Sequence, residues 1–390
     1  MDVKQIYTLI NSVSSEVLGK TDLVQEDLTG IVDMGTAVFN QNAIDNYIKS
    51  LVNHIGKVVF VNRPYSGKVP SVLMNAWEFG SVLEKISADV PQAQENESWD
   101  LTDGETYSQD TFHKPTVTAK FFNSKVTFEI PVSITERQVK ESFSSAEQLN
   151  GFISMIYSAV DKSMTIKTDA LIMRTINNMI AETVSADAAA FTVENVLTYS
   201  SASTVRSVNL LKLYNDQFGT SLTAAKSITD SDFIRFASYT MGLYADRLGS
   251  ISTLFNIGKK ERFTPTDMLH TVLLSDFAKA AQTYLYSDTF NKEQVLLPNA
   301  QTVSAWQASG SDYDFESVST INVKSSTGKA IELSGILGVM FDRDALGVCN
   351  LDKRVTTNYN AKAEFFNNYY KFDCGYFNDT NENFVVFFVA

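Results

Sequence analysis

Three histidines, two cysteines and two close carboxylate pairs are the residues of this sequence equipped for acid–base, thiol or metal chemistry. Their spacing argues against each use. His54, His113 and His270 stand far apart, and none has a second ligand type at the short helical or loop spacing that a zinc site needs. Asp230-Ser231-Asp232 and Asp342-Arg343-Asp344 imitate paired catalytic carboxylates. Each sits where an apolar helical pattern starts, so capping a helix is the better reading. Cys349 and Cys374 lie in apolar or aromatic company and read as inert core thiols. Two cysteines without metal spacing fit a reducing compartment and no disulfide framework. No phosphate loop, nucleophile elbow or dinucleotide fingerprint occurs. The expectation is a non-enzymatic protein with no cofactor and no metal.

The concentrated chemical feature is charge. Residues 84–110 hold eight acidic residues (Glu84, Asp89, Glu95, Glu97, Asp100, Asp103, Glu105, Asp110) against Lys85 alone, a net −7 out of −13 for the whole chain. Few aliphatics accompany them, which is the composition of a solvated loop. The overall acidity, with a pI near 4.8, argues against a nucleic-acid binder, because such affinity comes from neutralising phosphates. It leaves open a protein that lies next to DNA.

The elements that would position these residues are organised around one stretch, Ser144 to about Thr183. It has no Pro, one Gly (Gly151), and apolar residues at helical spacing from Leu149 through Ile156, Met164 and Ile172 to Ile180. Ser145 can cap it, with Gln148 three residues on. Such a helix is roughly 55 Å long and projects beyond an ordinary core. Lys162, Lys167, Asp161 and Asp169 keep its far face wet, and β-branched residues disrupt a strict heptad.

Ahead of this spine, residues 1–20 and Asn42 to about His54 read as amphipathic helices too small to close a core, an arm that docks elsewhere. Lys57–Val61 reads as a strand. Thr116–Phe122 and Lys125–Ile130 alternate as strands around an Asn123-Ser124 turn. Behind the spine, helical patterns recur at Thr192–Leu197, Val208–Phe218, Asp230–Leu248 and Asp267–Ala281, and residues 284–334 turn strand-like. Gly335–Phe341 is apolar, after which Asp342 caps one helical turn stopped by Gly347. Phe366, Asn368, Tyr370, Phe372 and Cys374 share one strand face. Asn383–Val389 is a continuous apolar run that suits a strand buried on both sides. No apolar run approaches the ~18 residues of a membrane span, and no basic-then-apolar leader opens the chain. A soluble intracellular protein of two or three domains is expected from 390 residues.

This order of elements resembles that of the major capsid proteins of tailed double-stranded DNA bacteriophages, the Hong Kong 97-like capsid fold. It is most similar to those of small short-tailed phages with protein-primed replication. Two passages carry the resemblance. One runs from Pro115-Thr-Val-Thr-Ala-Lys-Phe-Phe-Asn through Phe128-Glu-Ile-Pro-Val-Ser-Ile-Thr to Phe143-Ser-Ser-Ala-Glu-Gln-Leu-Asn-Gly-Phe-Ile. The other is Leu337-Gly-Val-Met-Phe-Asp-Arg-Asp-Ala-Leu-Gly-Val with Asn358-Tyr-Asn and Asn367-Asn-Tyr-Tyr. The resemblance implies an α+β fold with an amino-terminal arm (1–60) and an extended E-loop region (61–135). A peripheral domain on the spine helix (136–184 and 336–390) and an axial domain (185–335) complete it. It further implies a subunit that self-assembles as pentamers and hexamers into an icosahedral virion shell. That shell encloses double-stranded DNA without sequence-specific binding or membrane contact. The protein would be made in the host cytoplasm, with a separate scaffolding protein and a portal as partners. An E-loop over a neighbour makes Glu84, Asp100, Asp103 and Asp110 the candidates for inter-subunit contact. The rival readings are an encapsulin-like nanocompartment shell and a hydrolase with a scattered site.

Overall fold

The computed structural model describes residues 3–18, 47, 50, 69–70, 72–74, 82–135 (except 92, 108, 109 and 111), 137, 146–187, 196–197, 203–286, 297, 300–307, 315–324 and 330–390. The expected strand at 57–61 and most of the helix at 42–54 lie outside these residues. Tyr47 and Ser50 within that helix are helical and buried.

Helix α1 (Val3–Leu18) puts Ile10 and Val13 into the same apolar cluster as helix α2 (Ala146–Asp187), the spine, 42 residues long. At 1.5 Å per residue the spine reaches about 63 Å. Its stripe is buried from Ile156 through Val160, Met164, Leu171, Ile172, Ile176 and Met179 to Ile180, while Lys162 and Lys167 stay exposed. Three threonines share the buried side. The hydroxyls of Thr168, Thr175 and Thr183 donate to the carbonyls four residues earlier at 2.9, 2.8 and 2.8 Å. These hydroxyls are therefore satisfied within the helix when they leave water. The first arm helix thus docks on the spine of its own chain.

A five-stranded sheet rests on the spine, in the order β6 (Ser207–Asn209), β14 (Phe384–Phe388), β11 (Ile336–Asp342), β7 (Leu269–Leu274), β8 (Ala300–Val303). Its alternate side chains divide between two cores. Phe384, Val386, Val339, Phe341, Val272 and Leu274 join the spine's cluster. Val385, Phe387, Leu337, Met340 and Leu273 face the other way. There they meet a layer of helices, α3 (Leu210–Phe218), α5 (Ser231–Leu248) and α6 (Ser275–Tyr286), with the one-turn α4 (Ala224–Ser227) between the first two. The final strand is therefore buried on both faces, as its unbroken apolar run requires. β11 and β14 turn one face to the spine, and their further ladder partners β6 and β7 come from residues 207–274.

A second sheet, β1 (Leu73–Met74), β12 (Leu346–Asn360), β13 (Phe365–Asn378) and β4 (Lys125–Thr135), covers another side of the spine. Phe366, Asn368, Tyr370, Phe372 and Cys374 form its buried face, as their alternation requires. The opposite face is polar, with Thr127 and Arg354 on Asp373 and Lys371 on Glu129. Strands β5 (Val196–Leu197), β10 (Ala330–Leu333) and β9 (Ile321–Lys324) form a small third sheet behind the one-turn α7 (Phe315–Val318).

Four local expectations change. Strands β3 (Val117–Phe122) and β4 do not form a hairpin around Asn123-Ser124. β3 pairs with β2 (Leu83–Ala88) while β13 pairs with β4 along its whole length, so residues 123–124 are a corner between two ladders. Val196–Leu197 is strand, not helix, because β10 pairs with it. The helix expected from Asp267 starts only at Ser275, since Leu269–Leu274 is held between β11 and β8. Asp342 closes a tight turn instead of capping a helix. Its Oδ1 accepts from Asp344 N at 2.9 Å, and β12 starts at Leu346. Asp230 does cap α5, accepting from Phe233 N at 2.8 Å.

β7 stacks His270 on Phe341, with ring centroids 5.6 Å apart and planes at 16°. Burial, and then the positive charge of Arg343, hold its imidazole below the ordinary value of 6.5. In the unfolded chain His270 therefore protonates first as pH falls. Its contribution to stability is complete above about pH 6.5 and is lost below it as the folded group is forced to charge. His270→Gln is expected to flatten the decline of the urea midpoint between pH 7 and pH 5. Parallel declines for the two proteins would contradict the assignment.

Candidate assembly interface

Sheet chemistry places one element off the body. β2 and β3 form a two-stranded ribbon, Leu83 opposite Phe122 through to Ala88 opposite Val117, paired to no other strand among the described residues. Such a ribbon is marginal alone. Its inward face supplies the anchorage. Phe122 packs on Phe377 with centroids 5.1 Å apart. Lys85 Nζ lies 3.0 Å from Asp379 and 2.7 Å from Glu382, and Lys120 Nζ lies 2.9 Å from Asp379. Burial pushes the Asp379 carboxyl up, but Lys85 and Lys120 outweigh it and hold the group below the usual carboxylate range. Burial likewise works against the Lys85 ammonium, and Glu382 and Asp379 prevail to raise it.

The outward face has no such partners. Glu84, Ile86, Ala88, Val117, Ala119 and Phe121 are all exposed, Ile86 at 65% and Phe121 at 62%. Beyond the ribbon, the backbone bond from Asp89 N to Thr116 O (3.0 Å) closes a 26-residue excursion between those two residues. Asp89 itself pairs with Lys260 at 2.9 Å, so one of the eight acidic residues is used within the subunit. The excursion carries local structure. Glu97–Trp99 makes one 3-10 turn, and Ser98 N donates to Asn96 Oδ1 at 2.8 Å. Gly104 turns with φ +89°, a left-handed conformation that suits glycine. Thr102 N donates to the Tyr107 hydroxyl at 3.0 Å.

Glu84 stands on the ribbon, and Asp100, Asp103 and Asp110 stand on the excursion. All four are exposed, and among the described residues none of them is ion-paired. Trp99 is 94% exposed and Phe112 85% exposed in the same stretch. A merely solvated loop has no need of large aromatics in water, whereas interfaces are enriched in them. Counting charges missed this. The aromatics interleaved among the acids were the available signal.

A cleft of about 940 Å³ runs between the spine (Ile166, Met173, Arg174, Asn177) and the outer strands β8 and β9 (Val303, Lys324). Its floor is Trp306, fully buried, whose indole donates to Ile336 O at 3.0 Å and whose carbonyl accepts from Asn177 Nδ2 at 2.8 Å. His54 lies outside the described residues, and the β12–β13 ladder sets Cys349 opposite Gly375 and so beside Cys374. Among the described residues no group of three His, Cys, Asp or Glu side chains could hold a metal ion. Nor is any described helix long and apolar enough to cross a membrane.

Residues 9–388 match the family described as the Phi29-like phage major capsid protein. The chain belongs to this family. No curated protein matches it in sequence. In fold, this major capsid protein is similar to the capsid structure of Staphylococcus phage Andhra, with a TM-score of 0.51 at 9% identity over 84% of this chain and 86% of that one. A capsid structure of the cyanophage P-SCSP1u also matches, with a TM-score of 0.42 at 10% identity over 85% and 92% of the two chains. The family is that of a structural phage capsid protein, so neither the scattered-site hydrolase nor the nanocompartment shell is favoured. The Phi29-like major capsid protein is a component of the virion shell, built from capsid subunits.

Proposed function

We propose that this capsid protein forms pentamers and hexamers that close into an icosahedral shell around double-stranded DNA, joined by the β2–β3 ribbon and its acidic excursion. The observation that carries this is the two-faced ribbon: one side pinned by ion pairs, the other an exposed row containing Ile86, Val117 and Phe121. Burying such a row needs another chain, and the subunits of a shell supply one at every position. In this reading residues 1–60 are the arm and 61–135 the extended loop. Residues 136–184 and 336–390 form the peripheral part and 185–335 the axial part, with β11 and β14 shared between them. A separate scaffolding protein and a portal complete the particle, and the subunits are made in the host cytoplasm. The chain's net charge of −13 suits a container that holds DNA without gripping its phosphates.

Glu84, Asp100, Asp103 and Asp110 then meet Lys or Arg side chains of a neighbour. Exposed pairs are worth ~0–1 kcal/mol each, but the contact repeats around the shell. Rim charges are screened over roughly 8–10 Å at moderate ionic strength, so assembly should slow as salt rises. Replacing the four by Asn or Gln is expected to flatten that dependence and leave the subunit's folding unchanged. The measurement is assembly rate by light scattering at several salt concentrations. Equal salt slopes for both proteins would show the four to be a solvated face.

A further inference from the structure

Three parts of the chain meet at the turn between β13 and β14. Asp379 and Glu382, both with nearly buried side chains, receive Lys85 from β2, Lys120 from β3 and Arg262 from the loop after α5, the last at 3.3 Å. The turn itself is firmly built. Asp379 N donates to Ala345 O at 2.6 Å, Asn381 N to Asp379 Oδ1 at 3.0 Å, and Gly258 N to Thr380 O at 2.9 Å. Gly258 packs closely here: a Cβ on it would sit 2.0 Å from Asn381 Oδ1, so the Asn381 side chain would have to move. The carboxylates are thus fixed to the body, and each belongs to the segment that leads into β14, an interior strand of the five-stranded sheet.

The ribbon is held differently. Among the described residues backbone pairing ties β2 and β3 only to each other; Lys260 holds Asp89 just past the end of β2, and β3 passes to the body through the Asn123-Ser124 corner, where Tyr376 N donates to Ser124 O at 3.1 Å. Lys85 and Lys120 approach from the rim, their side chains 25% and 35% exposed. Ammonium groups are strongly hydrated and, so placed, regain water when pulled away, while the Phe122–Phe377 contact lies next to the Asn123-Ser124 corner. We propose that Lys85 and Lys120, closing on Asp379 and Glu382, are a charge latch that sets the angle of the ribbon, with the Asn123-Ser124 corner as its pivot. Opening the latch swings the ribbon and its acidic excursion together. Rings of five and six place neighbours at different angles, and a pivoting ribbon accommodates both; this consequence rests on the ribbon reaching a neighbour, while the latch itself does not.

The test is amide hydrogen exchange on the full-length, dilute, unassembled subunit. In Lys85→Met/Lys120→Met, exchange at residues 83–88 and 117–122 should rise by about tenfold or more, while β11 and β14 keep wild-type protection. Lys85→Arg/Lys120→Arg should remain close to wild type. Lys120→Met alone leaves Asp379 paired with Lys85, and it should give a smaller rise confined to the ribbon even if the double variant fails to fold. Unchanged ribbon exchange would overturn the latch. So would equal acceleration across β11 and β14, which would make the cluster a support of the fold instead. A loosened ribbon that still assembles at the wild-type rate would uphold the latch and count against the neighbour contact.

Discussion

Removing the chain from Phe384 onward is expected to abolish soluble expression. β14 lies inside its sheet, parallel to β6 and antiparallel to β11. Phe384 and Val386 fill the spine-side core, and Val385, Phe387 and Val389 fill the core under the helices. Full burial of each such side chain contributes ~1.5–3 kcal/mol, and five of them rival the ~5–15 kcal/mol by which a domain is stable at all. The loss extends to polar contacts. Val389 N donates to Gly335 O at 2.9 Å, and Asn209 Nδ2 donates to Ala390 O at 3.0 Å. The truncated chain should appear in the insoluble fraction. Soluble truncated protein with native circular dichroism would refute the two-core role of the strand.

Trp306→Ala is expected to cost about 3–5 kcal/mol, the range for deleting a large buried aromatic side chain. The indole is fully buried against the spine cluster, and its backbone is held by Val318 O at 3.0 Å. Trp306→Phe separates two effects. It restores most of the volume but leaves the Ile336 carbonyl without its 3.0 Å partner, at roughly 1–3 kcal/mol. Urea midpoints of the unassembled subunit should therefore rank wild type, then Phe, then Ala. A Phe variant as weak as Ala would place the energy in the hydrogen bond, and two near-wild-type variants would contradict the burial.

What the sequence disclosed followed the reach of its signals. The spine was legible because apolar residues recur at helical spacing from Leu149 to Ile180 with no Pro to interrupt them. β14 was legible because an apolar run with no polar alternation leaves few alternatives to a doubly buried strand. Leu269–Leu274 was not legible. A six-residue apolar run fits a strand or the first turns of a helix, and its neighbours β11 and β8 decide the matter from 25 or more residues away. The Asn123-Ser124 corner failed for the same reason, because strand alternation is local and choice of partner is not. Asp342 misled because an aspartate accepts from a nearby backbone N–H equally well in a turn and at a helix start. At the candidate interface, the acid run was plain in the composition. The Lys120–Asp379 pair spans 259 residues, and no local pattern announces such a contact.

The central claim is that this chain builds a shell, and imaging tests it most directly. The protein would be expressed alone and together with the adjacent head genes of its phage, then examined by negative-stain electron microscopy and light scattering. The account predicts rings or closed shells in at least one of the two preparations, with the β2–β3 ribbon buried between subunits. Monodisperse monomer in both preparations would contradict it.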